Sequence, residues 1–253
     1  MTERKEPFLK VEHVTKSFGG IKATNDVSFS LEDGQSLVLI GPNGAGKTTL
    51  FNLIAGEIPL DSGSIHIGGV DVSKSPVQER SRLRMARTYQ ICNLFKELTV
   101  TENLFLAMQN SQFQESFGFW EPFRNWKSHK ARLERVDWAL EQVQLTELRN
   151  TQVKNMSHGE QRQLELGMAL APDPKLILFD EPMAGLSPTE RVFIGDLIKK
   201  LAKEKMLIVI EHDINFALSI TDRVAVLNHG QLVTIGTPEE IRNSSEIQKI
   251  YKL

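Results

Sequence analysis

Residues 41 to 48 combine glycines, a lysine and a threonine in the pattern G-x-x-x-x-G-K-[ST], which is typical of a phosphate-binding loop. The pattern follows the apolar run Ser36–Ile40 and precedes the helix-like segment Thr49–Ala55. Glycines let successive backbone N–H groups turn towards a polyphosphate, and a helix N-terminus adds donors and a positive dipole end. We therefore expect a nucleoside triphosphate here, bound by Gly41, Pro42, Asn43, Gly44, Ala45, Gly46, Lys47, Thr48 and Thr49.

Four side chains indicate phosphoryl transfer at this loop. Lys47 is expected to reach the β- and γ-phosphates, and the Thr48 hydroxyl is expected to ligate Mg²⁺. Asp180 and Glu181 follow the apolar run Leu176–Phe179, at the end of a strand where open α/β sheets bind their ligands. We expect Asp180 to hold the Mg²⁺ and Glu181 to polarise the attacking water. The structural alternative is that the two carboxylates only cap the next helix.

His212 occupies a comparable position in the chain. It follows the strand-like run Leu207–Glu211, so it too is expected at the ligand-facing end of a strand. A ring N–H of His212 could donate to an oxygen of the γ-phosphate, which makes this residue a candidate sensor of that group. An isolated histidine is usually a structural or surface residue, and that alternative stays open.

The segment beginning at Ser157 predicts the start of a helix. Ser157 and Glu160 have the spacing of a capping box, which explains both residues without any ligand. Gly159 is not explained in this way, because glycine is unfavourable in a first helical turn unless a ligand or another backbone approaches closely. A helix start with a hydroxyl and bare N–H groups would also suit a γ-phosphate.

The elements that position these residues predict an α/β fold. Three unbroken apolar runs indicate strands covered on both faces of a parallel sheet, and helical patterns separate them. Phe8–Phe18 and Asp26–Leu31 alternate apolar with polar residues, as half-buried antiparallel strands do. Between about Thr99 and Asn155 helical spacing predominates. The aromatic-rich segment Phe113–Trp126 within it fits either a small satellite core or a partner-binding surface.

Composition excludes several classes of protein. The chain of 253 residues has a formal net charge of −2, so it lacks the basic field that holds nucleic acid, and we expect no nucleic-acid partner. Its single cysteine, Cys92, excludes an internal disulfide framework, and the polar start lacks the apolar region of a secretory signal. No apolar stretch approaches the roughly 20 residues that span a bilayer. We therefore expect a cytosolic location, with any membrane role arising through a separate partner.

The order of these motifs resembles the ATP-binding cassette family over essentially the whole chain. The resemblance implies a single ATPase domain over residues 1–253: a P-loop NTPase (RecA-like) core in 1–91 and 156–253, with an N-terminal antiparallel β subdomain and an inserted α-helical subdomain in 92–155. It also implies that Phe18 stacks on the adenine. Gln90 would touch Mg²⁺ or the attacking water and would couple the nucleotide site to the helical subdomain.

Members of this family pair head to tail, which implies that Ser157 and Gly159 act on ATP held by a second cassette. Closure around ATP would then be a bistable element that drives an attached machine. Two segments depart from the family pattern. His158 and Glu160 replace the usual glycine and glutamine of the signature Leu-Ser-Gly-Gly-Gln, and Ser187 stands where many cassettes carry an aspartate. His158 and Glu160 lie in the segment that is expected to bind phosphate. Ser187 lies in the segment that is expected to transmit changes across the dimer.

Several stretches are similar to the ATP-binding subunits of branched-chain amino-acid importers, among them Asn93–Asn103 and Ile235–Glu240. Urea and short-chain amide importers are similar as well. The resemblance implies a peripheral ATPase at the cytoplasmic face of the inner membrane, with a second ATPase subunit, membrane permeases bound near Gln90–Asn103 and, indirectly, a solute-binding protein. A non-transport cassette and a soluble nucleotide kinase are the alternatives, although a kinase does not require Ser157, Glu181 and His212 together.

Overall fold

The computed structural model describes residues 6–88, 94–108 and 130–244. Two β-sheets and a set of helices make up this part of the chain. The strands are β1 (Leu9–Phe18), β2 (Ile21–Leu31), β3 (Ser36–Ile40), β4 (Ser62–Ile67), β5 (Val70–Asp71), β6 (Met85–Arg87), β7 (Leu176–Asp180), β8 (Met206–Ile210), β9 (Arg223–Asn228) and β10 (Gln231–Gly236). The α-helices are α1 (Lys47–Ala55), α2 (Val77–Arg82), α3 (Val100–Ala107), α4 (Lys130–Gln142), α5 (His158–Leu170), α6 (Pro188–Glu204), α7 (Ile214–Ser219) and α8 (Pro238–Asn243).

The first sheet is antiparallel and has the strand order β2-β1-β4-β5. Strand β1 pairs with β2 in a register that places Leu9 opposite Leu31 and Val11 opposite Phe29. Buried and exposed residues alternate along β1 here, so Leu9 and Val11 point into the core. Strand β2 begins at Ile21, earlier than the alternation in Asp26–Leu31 indicated. The predicted N-terminal antiparallel unit is therefore confirmed, with a longer second strand.

The second sheet has the order β10-β9-β3-β8-β7-β6, in which every pair from β9 to β6 is parallel. All five residues of β3, β7 and β8 are buried, as the unbroken apolar runs predicted. Successive residues of each strand enter different clusters, so that Val38 packs with the helices on one face and Leu39 packs towards the antiparallel sheet on the other. Because the strands are parallel, their carboxyl ends meet at one edge, and this edge carries the loops of the site.

Helices α3, α4 and α5 pack against one another on one side of this sheet. Helix α3 begins with a capping box between Thr99 and Glu102, and α4 buries Val136, Ala139 and Leu140 against its neighbours. Both helices lie within 92–155, whose limits as a subdomain stay a prediction. The aromatic-rich segment Phe113–Trp126 lies outside the described residues. Among the residues that are described, no helix combines the length and the apolar character needed to cross a membrane.

Candidate active site

The loop at residues 41–46 leaves the end of β3 and enters α1, and close backbone contacts require glycine at two of its positions, 41 and 46. A Cβ atom on Gly41 would overlap the carbonyl oxygen of Leu227, and one on Gly46 would overlap that of Ala23. Gly46 also has φ of +98°, a value that L-residues with a side chain rarely adopt. The sequence therefore folds into the tight strand-loop-helix turn that the motif predicted.

Lys47 lies inside this loop and is 7% exposed. Its Nζ donates to the carbonyl oxygens of Gly41, at 2.7 Å, and Pro42, at 3.1 Å. Burial lowers the pKa of Lys47, while the nearby carboxylates of Glu181 and Asp180 raise it. The side chain is thus a buried cation held by two neutral acceptors, which it can exchange for the oxygens of a phosphate.

A cleft of about 590 Å³ opens beside the loop. It brings together residues from the loop and from the ends of several strands: Ile21, Lys22, Ala23, Asn43, Gly44, Ala45, Gly46, Lys47, Thr48, Thr49, Glu181, His212 and His229. The structure therefore gathers Glu181 and His212 with the phosphate-binding loop, although they are far apart in the sequence. Ile21, Lys22 and Ala23 were not predicted for the site, and His229 was interpreted as a histidine without a strand-end position. The apolar run Val224–Leu227 could have indicated His229, because it predicts another strand ending at this edge.

Phe18 does not line this cleft in the described part of the chain. It ends β1, is 51% exposed and pairs across the strands with Ile21, which does line the cleft. Lys16 Nζ lies 5.6 Å from the centre of the Phe18 ring. An exposed aromatic ring at the rim could stack on a base, and this role of Phe18 stays a prediction.

Asp180 is 2% exposed, and its two carboxylate oxygens differ in their hydrogen bonding. Oδ2 accepts from Arg87 at 3.3 Å, whereas Oδ1 is buried and has no hydrogen-bond partner among the described residues. Burial raises the pKa of Asp180, and the Arg87 cation lowers it. A buried, unpaired carboxylate oxygen and the Thr48 hydroxyl are hard donors, which Mg²⁺ prefers. These residues therefore fit a magnesium ion.

Arg87 is a functional candidate that the sequence reasoning did not single out. Its guanidinium forms an ion pair with Glu57 at 2.8 Å, donates to Asn52 Oδ1 at 2.8 Å and lies 4.8 Å from the centre of the Phe51 ring. Together with the bond to Asp180, these contacts hold the Asp180 carboxylate against α1. Only the folded chain brings these partners together, so the sequence carried no signal for them.

Glu181 and His212 are in direct contact. Glu181 Oε1 lies 2.8 Å from His212 Nε2. Glu181 has φ of +49°, and its backbone N–H donates to the carbonyl oxygen of Ile210 at 3.0 Å. The side chains remain accessible from the cleft, with exposed fractions of 27% for Glu181 and 52% for His212. This arrangement places a carboxylate and an imidazole where they face a ligand of the loop.

Glu211 was also missed. The residue is 6% exposed, and its carboxylate accepts from the backbone N–H groups of Met183 at 3.1 Å and His212 at 3.0 Å. Burial raises the pKa of Glu211, and these N–H groups lower it. A charged residue at the end of the apolar run Leu207–Ile210 was the available signal, because an acid there must find partners or be neutralised.

The segment around Ser157 forms the predicted capping box. Ser157 Oγ donates to Glu160 Oε2 at 2.8 Å, and the Glu160 N–H donates to Ser157 Oγ at 3.3 Å. A carboxylate oxygen of Glu190, at the start of α6, lies where a Cβ of Gly159 would be. This group is the end of a flexible side chain and not a ligand or another backbone, so the approach expected at Gly159 stays a prediction.

Ser187 also caps a helix. Its Oγ donates to Glu190 Oε2 at 2.7 Å, and it is the N-cap of α6. Within the described residues, Ser157 and Gly159 do not line the cleft that holds Lys47. Gln90 lies outside the described residues, so its expected role is a prediction only.

Comparisons with known proteins agree with this geometry. A family model described as "ABC transporter" matches residues 24–184. The high-affinity branched-chain amino acid transport ATP-binding protein BraF of Pseudomonas aeruginosa is 37% identical over 250 residues, 97% of each chain. The ADP conformation of the ATP-binding cassette MJ1267 has a TM-score of 0.80 at 29% identity and covers 97% of this chain and 98% of its own.

A third relative is described as a dimeric structure of a post-hydrolysis state of the ATP-binding cassette MJ0796 bound to ADP and Pi. It has a TM-score of 0.74 at 25% identity and covers 91% of this chain and 98% of its own. The two solved structures and BraF cover more than nine-tenths of this chain, and the family model covers the phosphate loop and the acidic strand end. The chain therefore belongs to the ABC transporter family and is an ATP-hydrolysing cassette coupled to transmembrane transport.

Proposed function

We propose that this chain powers the uptake of branched-chain amino acids through separate membrane permeases. The observation that carries the catalytic part is the Glu181–His212 contact of 2.8 Å at the rim of the cleft that also contains Lys47. The full-length similarity to BraF supports the class of solute. Urea or a short-chain amide is the alternative solute, because the cassette itself does not contact what is transported.

The positions of these residues support the following reaction. ATP binds with its phosphates on the backbone N–H groups of residues 41–49, among which Pro42 has none, and Lys47 exchanges its carbonyl acceptors for phosphate oxygens. Glu181 orients a water and accepts its proton as the oxygen attacks the γ-phosphorus, and the bond to the bridging oxygen breaks to give ADP and phosphate. His212 donates a ring N–H to the transferred group. Gln90 would contact the water or the metal.

Magnesium is the second ligand that we propose. Asp180 Oδ1 and the Thr48 hydroxyl would hold it, with Gln90 as a further ligand. When bound, Mg²⁺ neutralises charge that develops on the β- and γ-phosphate oxygens. Arg87 keeps the Asp180 carboxylate turned with Oδ2 towards the guanidinium, which leaves Oδ1 for the metal.

A groove beside this site is the proposed docking place of a permease. Its volume is about 260 Å³, and it lies between α1, α2, β6, α3 and α5. Most of its lining is apolar, including Val77, Leu94, Ala107 and Met168, and Arg87 also lines it. Because Arg87 also contacts Asp180, the groove and the metal site share one side chain. We expect Met168→Asp to abolish co-purification with the permeases and to leave ATP affinity unchanged.

A second ATPase subunit, either another copy or a sister cassette, would place its ATP against the exposed start of α5. Ser157 and Gly159 are proposed to contact the γ-phosphate of that ATP, which requires Glu190 to move from Gly159. The chain would act as a peripheral subunit at the cytoplasmic face of the inner membrane. The permeases would receive solute from a solute-binding protein, and no nucleic acid would take part.

The central experiment replaces Glu181 with glutamine. We expect Glu181→Gln to retain ATP binding and to slow hydrolysis by about 100-fold or more, since a general base typically contributes that much. Light scattering on a size-exclusion column should then show a dimer with Mg-ATP and a monomer without it. Glu239→Gln, on the exposed start of α8, is the control for the charge change. Unaltered turnover by Glu181→Gln would overturn the general-base assignment.

The solute is tested separately by transport. Cells that lack this chain and are complemented with it should regain uptake of labelled leucine, and complementation with Lys47→Ala should not restore it. Restored uptake of labelled urea without leucine uptake would instead assign the alternative solute.

A further inference from the structure

One buried carboxylate connects the two loops that carry Glu181 and His212. Glu211 Oε1 accepts from the N–H of Met183 at 3.1 Å, two residues after Glu181. Its Oε2 accepts from the N–H of His212 at 3.0 Å and, more weakly, from that of Asp213 at 3.5 Å. Glu211 is 6% exposed, so water contributes little to these bonds and the carboxylate acts as a closed bridge.

The position of this bridge bears on the catalytic pair. Glu181 and His212 are on separate loops, at the ends of two neighbouring strands, yet their side chains meet at 2.8 Å. A charged acceptor forms stronger hydrogen bonds than a neutral one, and a buried N–H that loses its acceptor is destabilised. We propose that Glu211 is a positioning residue for ATP hydrolysis, which fixes the two loops so that Glu181 and His212 stay in contact. This inference rests on the proposed roles of that pair.

The chemistry requires a carboxylate rather than an amide. N–H groups on two loops point at Glu211, and two oxygens are needed to accept from both sides. Glutamine has nearly the same volume but offers one oxygen and one NH₂ group, which is itself a donor. In Glu211→Gln the packing would be retained while one of the two loops lost its acceptor. The substitution therefore separates positioning from space filling.

The first measurement compares Glu211→Gln with the unchanged protein in ATP hydrolysis. We expect kcat to fall about tenfold, the effect of one misplaced catalytic group on the barrier. KM and the affinity for a fluorescent ATP analogue should stay within about twofold, because phosphate binding depends on residues 41–49. If Glu211→Gln fails to fold, Glu211→Asp keeps the charge but is too short to reach both loops, and the same fall is expected.

Asp222→Asn is the matched control. Asp222 also joins two strands by a carboxylate, since its Oδ2 accepts from the N–H of Ser36 at 2.8 Å and from its hydroxyl at 2.7 Å. It lies at the opposite end of β3 from the cleft, so kcat should equal that of the unchanged protein. An equal fall in kcat for Asp222→Asn and Glu211→Gln would overturn the inference, because any loosened strand end would then have the same effect.

A second background tests whether Glu211 acts through the contact. In His212→Ala the contact is gone, so adding Glu211→Gln should lower the single-turnover rate by less than about twofold. A further tenfold fall would overturn the inference. If His212→Ala slows hydrolysis but Glu211→Gln does not, the inference fails and the proposed function stands. If His212→Ala leaves hydrolysis unchanged, the role of His212 in the proposed function fails, and the inference fails with it.

Discussion

The starts of α1 and α5 are two helix N-termini that the sequence associates with phosphate, and they are built in opposite ways. Helix α1 has Gly46 as its N-cap, and in this fully described helix no side chain caps the first turn and no acidic residue lies in it. Helix α5 has the Ser157 hydroxyl and the Glu160 carboxylate on its first turn, and a carboxylate of Glu190 lies against Gly159.

The difference indicates how each helix N-terminus would interact with a phosphate. Bare amides and a positive dipole end attract an anion, and Lys47 adds a charge at the start of α1. At α5 the N–H of the N-cap Ser157 already donates to the Glu160 carboxylate, and the Glu190 carboxylate lies close to Gly159. The first site has no acidic group to displace, whereas the role proposed for the second would require the Glu190 carboxylate to be replaced by a phosphate. We infer that a single chain holds its own ATP firmly and engages that of a partner only weakly.

The largest expected effect tests the α1 side of this comparison. Lys47→Ala removes the buried cation, and we expect ATP affinity to fall by about 100-fold, as for the loss of a strong charge-assisted contact. The affinity is measured by titrating a fluorescent ATP analogue. Lys154→Ala is the control near α5, where the lysine pairs with Glu97 at the surface, and it should leave affinity unchanged. Unchanged affinity in Lys47→Ala would contradict the assignment of the loop.

An intermediate effect is expected on the α5 side. Glu190→Gln removes the charge that lies against Gly159, so the partner's phosphate meets less repulsion. In the Glu181→Gln background, we expect the ATP concentration for half-maximal dimerisation to fall about threefold, the scale of one charge at a helix terminus. Light scattering at several ATP concentrations measures this. Glu239→Gln changes an equal charge on α8 and is the control. If both variants need the same ATP concentration for half-maximal dimerisation, the proposed difference between the two helix N-termini is wrong.

The smallest effect concerns stability. Ser157→Ala removes one N-cap, which should lower the free energy of unfolding by about 1 kcal/mol. Thr237→Ala removes the equivalent cap of α8 and should cost about the same. Urea denaturation of both variants measures the two values. A loss at Ser157 well below that at Thr237 would mean that the capping box of α5 contributes little, and its hydroxyl would be better explained by the partner's ATP.

Local signals predicted the framework of the molecule. Continuous apolar runs identified β3, β7 and β8, because a strand that is covered on both faces buries every side chain and shows no alternation of apolar and polar residues. The phosphate loop was predicted because its backbone turn requires glycine at fixed spacing. In each case the property that decides the structure belongs to a short segment, so the sequence carries it directly.

The supporting residues could not be predicted in the same way. Arg87 contacts Asp180, and Glu211 contacts Met183, across separations of 93 and 28 residues. Nothing in a local pattern specifies such partners, because they depend on which strands become neighbours. At Gly159 the sequence predicted the approach of a ligand or another backbone, whereas the described group nearest to its Cβ position is the end of the Glu190 side chain, so that prediction stays untested.

The backbone conformation of Glu181 has opposite consequences for the stability of the fold and for the proposed role of this residue in ATP hydrolysis. Its φ of +49° is a left-handed conformation, which costs a residue with a side chain about 1 kcal/mol and costs glycine almost nothing. A search for stabilising substitutions would therefore select glycine at this position, and the resulting protein would fold better and hydrolyse poorly. On the proposed role of Glu181 as general base, a glutamate at this position lowers the folding free energy and supplies catalysis, so gains in thermal tolerance should be sought at other positions in the chain.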